Sequence, residues 1–294
     1  MTFYMVRGSD YLDGGMGRNR MHGGADNDTY IVNSVNDIVN EKSNENIDAV
    51  ISSISYSLPA NVENLTLTGT DDLNATGNSL RNTIIGNSGN NIITDLTLND
   101  SDILIGGNGD DTYIVDVFSL ATPIIIELVG VGNDTLIAKG GNLNLPENVE
   151  NLIYTGTLNI SLLGNELDNY LQGGPGADAI SGFVGTNTMV RGSGNDTLNG
   201  GRGNDTYTSF TGAAFRNDII NDLSGSADIL DLSNFSPSLI AGSNPFTRLA
   251  AGGGSGLDLR FAVPQGCSHH SGLIDTIILG NDPVVDFAQI LTLV

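Results

Sequence analysis

Residues 155–208 read T-G-T-L-N-I-S-L-L, G-N-E-L-D-N-Y-L-Q, G-G-P-G-A-D-A-I-S, G-F-V-G-T-N-T-M-V, R-G-S-G-N-D-T-L-N and G-G-R-G-N-D-T-Y-T, nine-residue units without a gap. The eighth place is always large and apolar: Leu162, Leu171, Ile180, Met189, Leu198 and Tyr207. Glycine gathers at the first, second and fourth places, where bare backbone and access to positive φ let six residues turn tightly with their carbonyls facing one point. The last three residues run as a short strand. Side chains alternate across a strand, so the eighth residue points inward and its neighbours outward. Two units complete one coil of a flattened parallel roll, and units eighteen residues apart stack on the same edge. The fold class this implies is all-β, a parallel β-roll or β-solenoid.

The same period recurs upstream. From Thr68 it gives T-G-T-D-D-L-N-A-T, G-N-S-L-R-N-T-I-I and G-N-S-G-N-N-I-I-T, then, after Asp95 and Leu96, resumes through Asp102 to G-G-N-G-D-D-T-Y-I. A degraded run near the start, G-G-M-G-R-N-R-M-H and G-G-A-D-N-D-T-Y-I, ends at Ile31. A larger repeat encloses the small one: Asp111-Thr112-Tyr113-Ile114-Val115 echoes Asp28-Thr29-Tyr30-Ile31-Val32, and Asn148-Val149-Glu150-Asn151-Leu152 echoes Asn61-Val62-Glu63-Asn64-Leu65. Met5-Val6-Arg7-Gly8-Ser9 returns as Met189-Val190-Arg191-Gly192-Ser193, with two residues missing before Asp10, as in an eroded roll or the cut edge of a longer protein. These patterns divide the chain into degraded turns with a strand-rich spacer (1–67), a second repeat module (68–154), the main roll (155–208) and a β-rich C-terminal cap (209–294).

Composition agrees with thin repetitive β-structure. Across 294 residues there are 39 Gly, no Trp and 6% aromatic residues, too few bulky side chains for an ordinary globular interior. The 34 acidic against 11 basic residues give a net charge of −23, which repels nucleic acid and invites a multivalent cation. The single cysteine, Cys267, excludes an internal disulfide. There is no stretch long and apolar enough for a transmembrane helix, and Met1–Asp10 lacks the apolar core of a cleaved signal. Stacking brings sixth-place carboxylates and turn carbonyls into register, a hard-oxygen cage suited to calcium.

The nonads resemble the repeats-in-toxin (RTX) calcium-binding repeat, G-G-x-G-x-D-x-(large apolar)-x, over most of residues 8–235. The resemblance implies bound Ca2+ between same-edge turns, held by sixth-place Asp side chains and carbonyls of the glycine-rich places. Carried over, the first site pairs Asp178 with Asp196, with carbonyls of Gly173, Pro175, Gly192 and Gly194. A second pairs Asp205 with the Asn187 edge through carbonyls of Gly182, Val184, Gly201 and Gly203. Asp28, Asp102 and Asp111 rank behind these, since their same-edge partners are not evident. Asn replaces Asp at Asn19, Asn82, Asn91, Asn169 and Asn187, and a neutral amide is the poorer ligand, so those turns are expected to stack as metal-free ladders. The expectation is about two to five ions at the weak affinities of extracellular modules.

The segment Asp228-Ile229-Leu230-Asp231-Leu232-Ser233-Asn234-Phe235 resembles the roll-closing part of type I-secreted proteases and lipases, and Leu257–Val263 and Leu273–Leu279 read as capping strands. The acidic-apolar end from Asp286 to Val294 is similar to an uncleaved type I secretion signal, which implies a secreted, extracellular protein that uses a type I secretion apparatus. His22, His269 and His270 lie outside any H-E-x-x-H, and no G-x-S-x-G is present, so an enzyme is not expected. The readings carried forward are a structural module that folds on calcium outside the cell, an extracellular polysaccharide-binding or cell-surface adhesin module, and the non-catalytic C-terminal part of a larger secreted enzyme or toxin.

Overall fold

The computed structural model describes residues 2–4, 7–43, 46–95, 101–117, 122–208, 218–222, 228–231, 246–251 and 260–262. Among these there is no helix; the elements are short strands, paired in parallel. The chain is a parallel β-solenoid that divides into two compact units, residues 1–139 with 146–149, and residues 140–145 with 150–294.

In the first unit one ladder runs through Tyr11–Asp13, Thr29–Val32, Ala49–Ser52, Asn64–Leu67, Thr83–Ile85, Ile103–Ile105 and Ile124–Ile126. Its inward column is Leu12, Tyr30, Val50, Leu65, Ile84 and Leu104, each at most 2% exposed. An opposing ladder carries Ala75, Ile93, Tyr113 and Leu136, likewise buried, through strands including Ile92–Asp95 and Thr112–Asp116. Strands stacked about 4.8 Å apart place like side chains on like, so a single apolar residue per strand suffices to fill a thin core.

The second unit repeats the arrangement with a stricter period. The ladder Leu143–Asn144, Ser161–Leu163, Ala179–Ser181, Thr197–Asn199 and Asp218–Asp222 buries Leu143, Leu162, Ile180, Leu198 and Ile220. The other, Asn151–Tyr154, Tyr170–Gln172, Thr188–Val190, Thr206–Thr208 and Ile229–Asp231, buries Leu152, Leu171, Met189 and Tyr207. All six eighth-place residues of the 155–208 run therefore face inward, as the nonad pattern requires. The ladders also continue past Thr208, where the nine-residue rhythm ends. Phe246–Ala251 pairs with Asp218–Asp222, and Arg260–Ala262, within the expected strand Leu257–Val263, pairs with Ile229–Asp231. The expected strand at Leu273–Leu279, Cys267, His269, His270 and the secretion-signal-like end from Asp286 lie outside the described residues.

The glycine places have distinct physical reasons. Gly192 and Gly194 hold φ of +88° and +143°, and a Cβ on either would strike the carbonyl of the turn beneath, at Gly174 and Gly176. First-place glycines answer to space: a Cβ on Gly23 would strike Asp28 Oδ2, and one on Gly106 would strike both Asp111 Oδ2 and Glu127 Oε1.

Candidate metal centres

The sixth-place residue stands immediately before each strand, and its side chain serves the coil that precedes it. Asp196 Oδ1 accepts the backbone N–H of Asp178 at 2.9 Å, across 18 residues. Asp205 does the same for Asn187 at 2.8 Å, and Asp102 for Asn82 at 2.7 Å. Where the spacer lengthens the coil the bond persists: Asp48 accepts from Asp28 across 20 residues, and Asp134 from Asp111 across 23. One oxygen of each carboxylate is thereby committed to the backbone, and the residue is carried inside the solenoid, where Asp28, Asp102, Asp111, Asp178, Asp196 and Asp205 are all at most 2% exposed.

At asparagine the pattern varies: Asn82, Asn91 and Asn169 turn Oδ1 to the N–H groups of Asn78, Asn87 and Asn165 in their own turns, and Asn187 keeps the contact to the preceding coil. Asn187 Oδ1 accepts the N–H of Asn169 at 3.0 Å. The amide nitrogens donate to carbonyls: Asn91 to Leu73 at 2.9 Å, Asn82 to Glu63 at 3.2 Å, Asn169 to Glu150 at 3.3 Å, and Asn187 to Gly185 at 3.3 Å. Asn19 donates to Gly15 and to Asp37 Oδ1. An N–H thus lies beside carbonyl oxygens where an aspartate would present a second anionic oxygen, which takes a backbone N–H, as Asp178 Oδ2 takes that of Gly174, or a cation.

Two places in the first unit concentrate that need. Asp28, Glu41 and Asp48 bring one carboxylate oxygen each within 4.8 Å of the others, and so do Asp111, Glu127 and Asp134. All six residues are buried, with Glu41 and Glu127 the most exposed at 6%. Within hydrogen-bond reach of these pockets are groups from the flanking turn and strand. The Gly23 N–H donates to Tyr30 Oη at 2.7 Å and to Glu41 Oε1 at 3.3 Å, and the Tyr113 hydroxyl donates to Glu127 Oε1. Asp111 Oδ2 has no hydrogen-bond partner. Burial, opposed by the Asn91 N–H and reinforced by Glu127 and Asp134, pushes the Asp111 carboxyl up to about 7. Burial and the bond to Glu127 likewise raise the Tyr113 phenol.

Three anionic oxygens within 4.8 Å repel one another by about 3 kcal/mol per pair at an effective dielectric near 20. Three pairs sum to about 10 kcal/mol, comparable with the whole net stability of a domain. Such a pocket is tenable in two ways, by holding protons or by holding a cation. A hard, all-oxygen set of three carboxylates fits Ca2+, which accepts irregular oxygen shells at about 2.3–2.6 Å.

The residues singled out from the nonads fall as follows. Asp178 and Asp196 stand one coil apart, but both oxygens of Asp178 already accept backbone N–H groups, Oδ1 from Ile160 at 3.1 Å and Oδ2 from Gly174 at 2.8 Å. Asp196 Oδ2 lies 4.0 Å from Arg191 Nη1, which sits 3.0 Å from Asp218 Oδ2. Burial raises Asp178, and burial pushes Asp196 up to about 7. The turn of Gly173 and Pro175 is stacked beneath that of Gly192 and Gly194, joined by Ser193 N–H to Gly174 O at 3.1 Å. The turn of Gly182 and Val184 lies beneath that of Gly201 and Gly203, joined by Arg202 N–H to Phe183 O at 2.8 Å. Asp205 is followed one coil later by Asp228, whose Oδ1 accepts its N–H at 2.9 Å. Asp102 caps Asn82, whereas the next strand in its ladder, Ile124–Ile126, is preceded by Pro123.

Glu41, Asp48, Glu127 and Asp134 were missed because they lie outside any nonad. A signal was present: each follows a D-T-Y-I-V segment, and Glu41 precedes Asp48 by the same interval as Glu127 precedes Asp134. The module echo thus extends to the acids and supplies the partners that Asp28 and Asp111 lacked.

A family model described as "RTX calcium-binding nonapeptide repeat (4 copies)" matches residues 7–39, 76–95, 97–116, 163–198 and 190–207. No curated protein and no solved structure matches the chain. The matched segments contain Asp28 and Asp111 and stop short of their glutamate partners. The chain is a parallel β-solenoid that carries RTX calcium-binding nonapeptide repeats in these segments.

Proposed function

We propose that the chain is a secreted structural module that completes its folding when calcium fills its acidic pockets outside the cell. The observation that carries the reading is the pair of buried carboxylate triads, Asp28/Glu41/Asp48 and Asp111/Glu127/Asp134. These are the principal ion sites in this reading, with carbonyls of their glycine-rich turns as co-ligands. Asp205, followed by Asp228 and stacked on the Gly182, Val184, Gly201 and Gly203 turns, is a further site. The Asp178–Asp196 rung, with Gly173, Pro175, Gly192 and Gly194, ranks below them because backbone donors already take both oxygens of Asp178.

At low calcium the −23 charge opposes collapse. An ion bound only by the native state then stabilises it by mass action, so calcium binding and the completion of the fold form one equilibrium. The role is structural; assays on casein, esters and uronate polymers, with activity in any of them, would oppose that part. The central test is a calcium titration followed by circular dichroism on metal-stripped protein. A cooperative gain of β-signal at about 0.1–1 mM calcium is expected, and an unchanged spectrum contradicts the reading.

A further inference from the structure

Among the described residues, the rung formed by Asp196 and Asp218 joins two carboxylates where each acidic pocket joins three, and it also differs at the first place of its turn. Asp218 Oδ1 accepts the Asp196 N–H at 2.9 Å across 22 residues, the same bond that joins Asp111 to Asp134. Both carboxylates are at most 1% exposed. The first place of the turn is Arg191, however, where the corresponding turns of the triads have Gly23 and Gly106. Any Cβ at those glycines would point into the sixth-place carboxylate, which defines the direction a first-place side chain takes. Arg191 takes it: only 1% exposed, it puts Nη1 3.0 Å from Asp218 Oδ2 and 4.0 Å from Asp196 Oδ2.

We infer that the Arg191 guanidinium is a tethered cation that fills the ion position of the Asp196–Asp218 rung, so that this coil is held closed without calcium. The inference rests on the reading of the triads as calcium sites. The physics is that of a buried ion pair: arginine stays charged, carries its donors in a planar fork and is more weakly hydrated than an ammonium, so it suits an enclosed dicarboxylate. A side chain supplied by the same turn also brings no loss of a free ion's translational freedom, and its occupancy does not fall when calcium is scarce. The segment M-V-R-G-S occurs a second time with Arg7 in the equivalent place, but there two residues are missing before Asp10 and Arg7 is exposed. Of the two, the arginine that enters a pocket is the one in the intact six-residue turn.

The solenoid would then contain rungs of three kinds: amide-closed at asparagine, arginine-closed at Arg191, and calcium-closed at the triads. Rungs of the first two kinds form a scaffold already ordered when calcium is low. The test compares bound calcium, by equilibrium dialysis and atomic emission, in the full-length wild type, Arg191→Gly and Asp218→Asn. Arg191→Gly should gain one ion per chain and lose thermal stability in chelator, with the loss reversed by calcium. Should it fail to fold in calcium, Asp218→Asn decides: it should keep the wild-type ion count. A folded Arg191→Gly with no extra ion, or an Asp218→Asn chain lacking one, overturns the inference while leaving the triads standing. A wild type that binds no calcium removes the triads and this inference together.

Discussion

The Asp134 carboxylate accepts the backbone N–H of Asp111 at 2.8 Å, although 23 residues separate the two. The bond is the same as that between Asp178 and Asp196 in an 18-residue coil, so coil length varies while the sixth-place contact does not. Each such aspartate does two separable things: one oxygen closes the backbone of the preceding coil, and the other faces the turn.

That separation predicts different outcomes for two changes at one position. Asp111→Asn keeps an acceptor for the Asn91 N–H and should retain β-structure in chelator while binding one ion fewer. Asp111→Ala leaves that buried N–H unsatisfied and should cost a further 1–3 kcal/mol or so. Thermal melts in chelator together with ion counting check both.

Glu127 closes a pocket without belonging to the backbone ladder. Glu127→Gln should therefore leave the fold intact and weaken one site by about tenfold or more. The chain has no Trp, and the Tyr113 hydroxyl bonds to Glu127, so terbium bound there should show tyrosine-sensitised emission. Tyr113→Phe should abolish that contribution, and emission unchanged in both variants would count against the pocket.

Gly106 and Gly194 should fail differently when given a methyl group. At Gly106 the Cβ would run into Asp111 Oδ2 and Glu127 Oε1, so Gly106→Ala should delete an ion and spare most of the solenoid. At Gly194 a φ of +143° and the underlying Gly176 carbonyl oppose any side chain, so Gly194→Ala should destabilise the roll with or without calcium. Circular dichroism in both conditions separates the two.

The pH dependence follows from Asp111 and Asp196, both held up at about 7 chiefly by burial, from an ordinary value of 3.8. Between those values the native state binds more protons than the unfolded chain, so the calcium-free protein should lose stability as pH rises from about 4 to about 7. Calcium binding requires the ionised form at Asp111 and should strengthen over the same window. Melting temperature against pH in chelator should fall, and with saturating calcium the fall should shrink or reverse; equal profiles would contradict this.

Much of this architecture was legible in the nonads. Leu162, Leu171 and Ile180 recur every nine residues, and a period of one inward residue per short strand has few solutions other than a stacked parallel roll. The asparagine rungs were legible for the same reason, since an amide's chemistry is local: Asn91 and Asn169 donate to backbone of the preceding coil. The triads were harder to see. Glu41 and Glu127 reach their pockets from spacers whose length changes, so no fixed offset from Asp28 or Asp111 marks them, and only the duplicated module does. Arg191 was hidden by the opposite cause. It sits in register, but whether a first-place side chain turns inward depends on the intact turn around it, as the exposed Arg7 shows.

Where cations settle decides whether the two triads are ion sites. Diffraction from crystals grown in millimolar calcium, recorded at a wavelength where calcium scatters anomalously, should place one peak among Asp28, Glu41 and Asp48, another among Asp111, Glu127 and Asp134, and none between Asp196 and Asp218. Empty triads in a well-ordered solenoid would contradict it.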